Sequence, residues 1–89
     1  MDVATAAALA SGSRAAVTGF VLLVSGQAPV LCSELLESMP PQCGGARMDL
    51  VGLADAALPG LREAEGVKWT AEAVTLSGVV HEGRLHLGG

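Results

Sequence analysis

Cys32 and Cys43 are the residues of this sequence whose type and spacing offer the most chemistry. They are its two cysteines, and ten residues lie between them. A disulfide between them would close a short loop and stabilise a small domain by about 2–3 kcal/mol. The Pro40-Pro41 and Gly44-Gly45 steps beside Cys43 suit a chain that must turn back toward Cys32. A disulfide is therefore the interpretation we favour.

Two other states of the cysteines stay open on the sequence. One is a pair of reduced structural thiols. The other is a zinc site, but tetrahedral zinc needs four ligands and the spacing lacks a C-x-x-C step. Redox catalysis has the least support, because no C-x-x-C motif begins a helix. We accordingly predict no metal and no cofactor.

His81 and His86 are the second group with chemical potential. They could complete a Cys2His2 set in number, or contact an anion together with Arg84. A two-residue hairpin centred on Glu82-Gly83 would place the two histidines diagonally on one solvent-facing surface. Neither has a serine, cysteine or aspartate partner in a known catalytic order. We interpret them as exposed hairpin residues.

Glu34, Glu37 and Ser38 lie between the two cysteines. Paired carboxylates can perform acid–base catalysis, but solvated loop carboxylates are far more common. Ser38 lacks the G-x-S-x-G context of a nucleophile elbow. The sequence thus names no catalytic residue, and we predict that the protein is not an enzyme.

Composition limits the classes of function. The 89 residues form one small domain with net charge -4 and five basic residues dispersed along the chain. A nucleic-acid binder usually carries a basic patch, so this distribution argues against one. No apolar run approaches the length of a transmembrane helix. Residues 1–10 carry Asp2 where a signal peptide has basic residues. If the protein is exported, we therefore expect either that its signal has been removed or that this chain is an excised domain beginning at an added Met.

In the first half of the chain, we predict one helix followed by strands. We predict a helix over residues 3–10 with Asp2 as N-cap, because this stretch is rich in alanine. Residues 15–24 form a strand that is apolar on both faces after a bend at Gly19. Strands at 30–36 and 46–53 flank a loop at 38–45, and the part of the first strand from Glu34 onward could instead form a helical turn.

The second half combines a helix with a hairpin. We predict a helix over residues 54–65 with Asp55 as N-cap and an interruption at Pro59. Strands at 74–80 and 85–87 follow. We interpret Trp69 before them as a core residue or a cap at the barrel end, and stacking on a ligand is the alternative. The buried face of this hairpin comprises Val74, Leu76, Val80, Leu85 and Leu87.

This order of elements is that of an OB-fold, a five-stranded barrel. We predict a mainly β domain over 1–89, with the N-terminal helix and linker at 1–13, the barrel at 14–89, and a helix between strands 3 and 4. The chain also contains five further motifs: Val17-x-Gly19-x-Val21, Leu31-Cys32, Pro40-Pro41-Gln42-Cys43-Gly44-Gly45, Val67-Lys68-Trp69 and Val74-Thr75-Leu76-Ser77-Gly78-Val79-Val80. In these motifs it resembles a small OB-like domain of high-GC, actinobacterial-type proteins. The resemblance implies a fold and carries over no catalytic residue.

These observations favour a non-catalytic binding or protein-interaction module, part of a larger exported or membrane-attached protein. Its partner would be an unknown protein or a small ligand. The disulfide favours an extracytoplasmic location, and a cytoplasmic one stays open. The alternatives are a single-stranded nucleic-acid-binding OB domain and a small Cys/His metal-binding protein. The candidate binding residues are Glu34, Glu37, Met39, Gln42, Arg47, His81, Arg84 and His86.

Overall fold

Seven strands and one short helix make up the part of the chain that the structure, a computed structural model, describes: residues 1–53, 58 and 60–87. The helix α1 spans Val3–Ala7. The strands are β1 Ser13–Val24, β2 Val30–Leu36, β3 Gln42–Val51, β4 Leu61–Ala64, β5 Val67–Thr70, β6 Val74–His81 and β7 Arg84–Leu87. The predicted mainly β class is confirmed.

The helix α1 begins at the predicted N-cap. The Oδ1 atom of Asp2 accepts a 2.7 Å hydrogen bond from the Thr5 backbone amide, which satisfies one of the free donors at the helix start. Hydrogen bonds from the Thr5 side chain and backbone lower the pKa of Asp2. The helix ends at Ala7, earlier than predicted, and buries Val3 and Ala6 against the sheet.

The strands form one sheet that closes into a partial ring. The order is β2-β3-β7-β6-β1-β5-β4, and β1 also pairs with β2. Strand β1 pairs with β6 over Ser13–Gly19 and with β2 over Phe20–Leu22. It changes partner at Gly19, where the sequence predicts a bend. The strand pair β3–β7 is parallel, whereas the other pairs are antiparallel.

Because side chains alternate along a strand, the sheet packs on both faces. The main core lies inside the partial ring and includes Val17, Val21, Leu31, Val80 and Leu85. The predicted buried face of the β6–β7 hairpin belongs to this core: Val80 and Leu85 are fully buried, and Val74, Leu76 and Leu87 are half-buried against it.

A second cluster packs on the opposite face of β1 and β2. It comprises Leu22, Val30, Cys32, Val67 and Trp69. Trp69 is 8% exposed, so its predicted place in a core is confirmed. It lies within β5, where the sequence analysis placed no strand.

The predicted helix over 54–65 is wrong at its C-terminal end. Residues 61–64 form β4, which pairs with β5. Glu65 and Gly66 have φ angles of 51° and 77°, which is the backbone of a two-residue hairpin turn. Gly66 therefore turns the chain and does not end a helix. Asp55 and Pro59 lie outside the described residues.

The predicted loop over 38–45 is also too long, because β3 already begins at Gln42. The β2–β3 register shifts between Cys32, which opposes Arg47, and Glu34, which opposes Gly44. Gly45 takes a φ of 68° at this shift. The extra residue is thus accommodated in a β-bulge, and the two glycines continue the strand.

Candidate binding groove

Cys32 and Cys43 are joined by a disulfide, as predicted. The S–S distance is 2.10 Å and the Cα–Cα distance is 5.4 Å. Cys32 is fully buried in the second cluster, and Cys43 packs against that cluster half-buried. With both sulfur atoms in this bond, neither cysteine is a free thiol in this structure.

A groove of about 320 Å³ opens beside this disulfide. We call it the staple groove. Its floor is made of the alkyl side chains of Leu22, Val24, Val30 and Val67, and its remaining lining residues are Gln27, Ala28, Pro40, Pro41, Gln42, Cys43 and Arg47. The groove thus combines an aliphatic floor with two amides and one guanidinium group.

The strand ladders explain why these side chains meet. Leu22 lies opposite Val30 on β2 and opposite Trp69 on β5, and Val24 lies opposite Val67. Residues directly opposite each other in a sheet project from the same face. Three strands therefore present their aliphatic side chains together.

Arg47 reaches the groove by the same rule. It lies opposite Cys32 in the β2–β3 ladder, so its side chain projects from the same face of the sheet as the disulfide. Arg47 is exposed, while Leu22, Val30 and Val67 below it are buried. A ligand on the aliphatic floor would come within reach of this guanidinium group.

The structure divides the predicted site residues among different places. Gln42 and Arg47 line the staple groove. Glu34 is exposed on β2, and Glu37 and Met39 lie on the β2–β3 connection outside the groove. His81, Arg84 and His86 lie on the β6–β7 hairpin and do not line the groove.

The β2–β3 connection forms an exposed apolar tip. Met39 is 76% exposed and Leu36 is 47% exposed, and both line a shallow depression with Leu35 and Pro41. The Ser38 hydroxyl donates a 2.8 Å hydrogen bond to the carbonyl of Pro40. The Met39–Pro40 peptide bond is cis.

Sequence reasoning missed the floor of the groove. The signal for it was the stretch from Phe20 to Val24, which is apolar on both faces of a strand. Such a stretch must have a second apolar neighbour or a ligand. The pattern could not identify that neighbour, because Val67 lies more than forty residues further along the chain.

The β6–β7 hairpin has the predicted register, with Val80 opposite Leu85 and His81 opposite Arg84. The ring centroids of His81 and His86 are 5.8 Å apart, with an interplanar angle of 79°. Within the described ranges, no group of three or more His, Cys, Asp or Glu side chains is arranged to hold a metal ion.

Comparisons of the chain with protein-family models, with curated proteins and with solved structures give no match. Across residues 1–53, 58 and 60–87, no helix has the length and apolar character needed to cross a membrane.

Proposed function

We propose that this chain is a non-catalytic binding module built on an OB-type barrel. The order β1-β2-β3-β7-β6 with return to β1 supports the barrel, because an OB-fold is a partly open five-stranded ring. The β4–β5 hairpin is an addition to that plan, attached to the outer edge of β1.

The staple groove is the observation that carries the proposal. It lies on the face of β1, β2 and β3, beside the β1–β2 turn, which is where OB-folds place their ligands. Its volume is at the lower end of the range for ligand sites, and it has the usual mixture of apolar lining with a few polar groups. These alkyl, amide and guanidinium groups suit a ligand held by apolar contact, hydrogen bonds and an ion pair.

The lining indicates the class of ligand. The floor of Leu22, Val24, Val30 and Val67 accepts an aliphatic group. The amides of Gln27 and Gln42 can donate to and accept from a peptide backbone. Arg47 pairs with a carboxylate. The ligand that satisfies all three is a short peptide segment with an aliphatic side chain next to a carboxylate.

A pair of peptides tests this function. Acetyl-Ala-Val-Leu with a free carboxylate is titrated into the ¹⁵N-labelled protein, and the same peptide with a C-terminal amide is the control. We expect saturable shifts of the backbone amides of Gln27, Gln42 and Arg47, with the carboxylate form binding more tightly.

A matched pair of variants assigns the charge contact. Arg47→Gln removes the positive charge from the groove. It is expected to lower the affinity for the carboxylate peptide by roughly threefold to tenfold, which is the effect of losing one partly exposed charged contact. Arg62→Gln removes an exposed arginine on β4, outside the groove lining. It should leave the affinity unchanged. The proposal is wrong if neither peptide shifts the groove amides.

We further propose that the module belongs to an exported or membrane-attached protein. The disulfide supports this, because such bonds persist in oxidising compartments. The alternative of a single-stranded nucleic-acid binder has weaker support. Arg47 is the one cation among the described groove residues, and Trp69 is too buried for stacking on a base. Salt-sensitive binding of a labelled oligonucleotide would favour this alternative.

A further inference from the structure

We propose that His81 and His86 chelate a divalent transition-metal ion such as Zn²⁺ on the outer face of the β6–β7 hairpin. This site is separate from the staple groove and does not depend on the function proposed for it. Imidazole nitrogen is a preferred ligand of Zn²⁺, Ni²⁺ and Cu²⁺. Water would complete the coordination shell.

The spacing of the two rings fits a shared metal ion. Zinc binds imidazole nitrogen at roughly 2.0–2.1 Å, so two imidazoles on one tetrahedral zinc have centroids roughly 5.2 Å apart. The observed centroid distance is 5.8 Å. Because His81 is exposed and His86 is half-buried at the surface, both rings have room to rotate, and the proposal requires such a rotation to bring one nitrogen of each ring to the same ion.

The backbone holds the two positions in place before any ion binds. His81 lies opposite Arg84, and His86 lies opposite Val79 on the same face of the hairpin. The Glu82 amide donates a 2.9 Å hydrogen bond to the Ser11 hydroxyl, which ties the turn to the chain before β1. A preorganised pair of ligands loses less conformational entropy on binding than two flexible ones.

The net charge around the two imidazole rings does not repel a divalent cation. Arg84 faces His81 across the hairpin, and Arg14 on β1 lies beyond Val79. Two carboxylates balance these two positive charges. The Oε1 atom of Glu82 is 3.7 Å from Nε2 of His81, and Asp49 precedes Val51, the β3 partner of His86, by two residues. With neutral imidazoles, these four charges sum to zero.

Zn²⁺ titration at pH 7.5 tests the site, with calorimetry for stoichiometry and imidazole NMR signals for assignment. We expect one ion per chain and simultaneous shifts of both rings. The variants His81→Asn and His86→Asn should each weaken binding by roughly tenfold or more, because the second contact of a bivalent site multiplies affinity. Urea unfolding of each variant checks that the hairpin is intact.

Arg84→Gln is the matched control, since it changes the same face and keeps both imidazoles. It should bind Zn²⁺ at least as tightly as the original chain. Two independent ions per chain, or single-histidine variants of unchanged affinity, would overturn the proposal. A sulfate titration that shifts both rings when Zn²⁺ does not would instead assign this face to anions.

Discussion

Gly19 and Gly78 are two positions at which the sheet leaves no room for a β-carbon. A Cβ atom on Gly19 would lie 2.6 Å from the carbonyl oxygen of Cys32, and one on Gly78 would collide with the carbonyl oxygen of His86. In both cases the obstacle is the backbone of a paired strand, which cannot move without loss of ladder hydrogen bonds. The two glycines therefore allow the close approach of strands that the partial ring requires.

The substitution Gly78→Ala is expected to lower the free energy of unfolding by about 1–3 kcal/mol, the usual cost of overpacking. Urea denaturation under oxidising conditions measures this loss. Ser77→Ala is the control, because Ser77 is the exposed neighbour in β6 and should change stability by less than about 0.5 kcal/mol. Equal stability of the two variants would contradict the role assigned to Gly78.

The two hairpins with two-residue loops have the same type of turn. Glu65-Gly66 joins β4 to β5 with φ angles of 51° and 77°, and Glu82-Gly83 joins β6 to β7 with φ angles of 50° and 73°. The sequence predicts a hairpin turn for the Glu-Gly dipeptide at 82–83, whereas at 65–66 it predicts a helix that extends to residue 65. The residues before Glu65 have high helix propensity, and their pairing with β5 overrides it.

A residue better suited to positive φ at position 65 should stabilise the β4–β5 hairpin. Glu65→Asn is expected to raise the free energy of unfolding by roughly 0.5–1 kcal/mol, because asparagine tolerates the left-handed backbone of this turn better than glutamate.

Glu72→Asn provides the charge-matched comparison for that substitution. Glu72 is exposed, and its φ is not positive, so its replacement removes one carboxylate without the backbone gain. Thermal or urea unfolding of both variants measures the difference. A Glu65→Asn variant no more stable than Glu72→Asn would show that the turn carries no strain.

The sequence predicts structure that depends on neighbouring residues, but it does not predict which distant strands pair. The register of the β6–β7 hairpin follows from its turn and its alternating side chains, and the bend at Gly19 follows from one glycine in a strand. The staple groove has only a partial local signal, the doubly apolar stretch from Phe20 to Val24, since Leu22, Gln42 and Val67 meet only when β1, β3 and β5 are assembled. The parallel pairing of β3 with β7 is equally invisible to a local pattern.

The Cys32–Cys43 disulfide ties Cys43, at the end of the Pro40–Gln42 side of that groove, to the buried Cys32 on β2, so its removal should affect both stability and binding. The double variant Cys32→Ala/Cys43→Ala removes the bond. Alanine is chosen over serine because a serine at position 32 would bury a hydroxyl group in the second cluster. On the chain-entropy estimate it should lose about 3 kcal/mol of unfolding free energy. Urea denaturation measures this loss, and unchanged stability would show that the bond adds nothing to the fold.

Titration with acetyl-Ala-Val-Leu separates the effect on the groove from the effect on the fold. We expect the double cysteine variant to lose affinity, because Cys43 ends the Pro40–Gln42 wall and its bond to Cys32 anchors that wall beside the floor. Ser38→Ala keeps the disulfide and removes one exposed hydrogen bond in the same connection, so it should retain affinity. A folded cysteine variant of undiminished affinity would mean that the β2–β3 ladder alone, through Leu35 opposite Cys43, positions the wall.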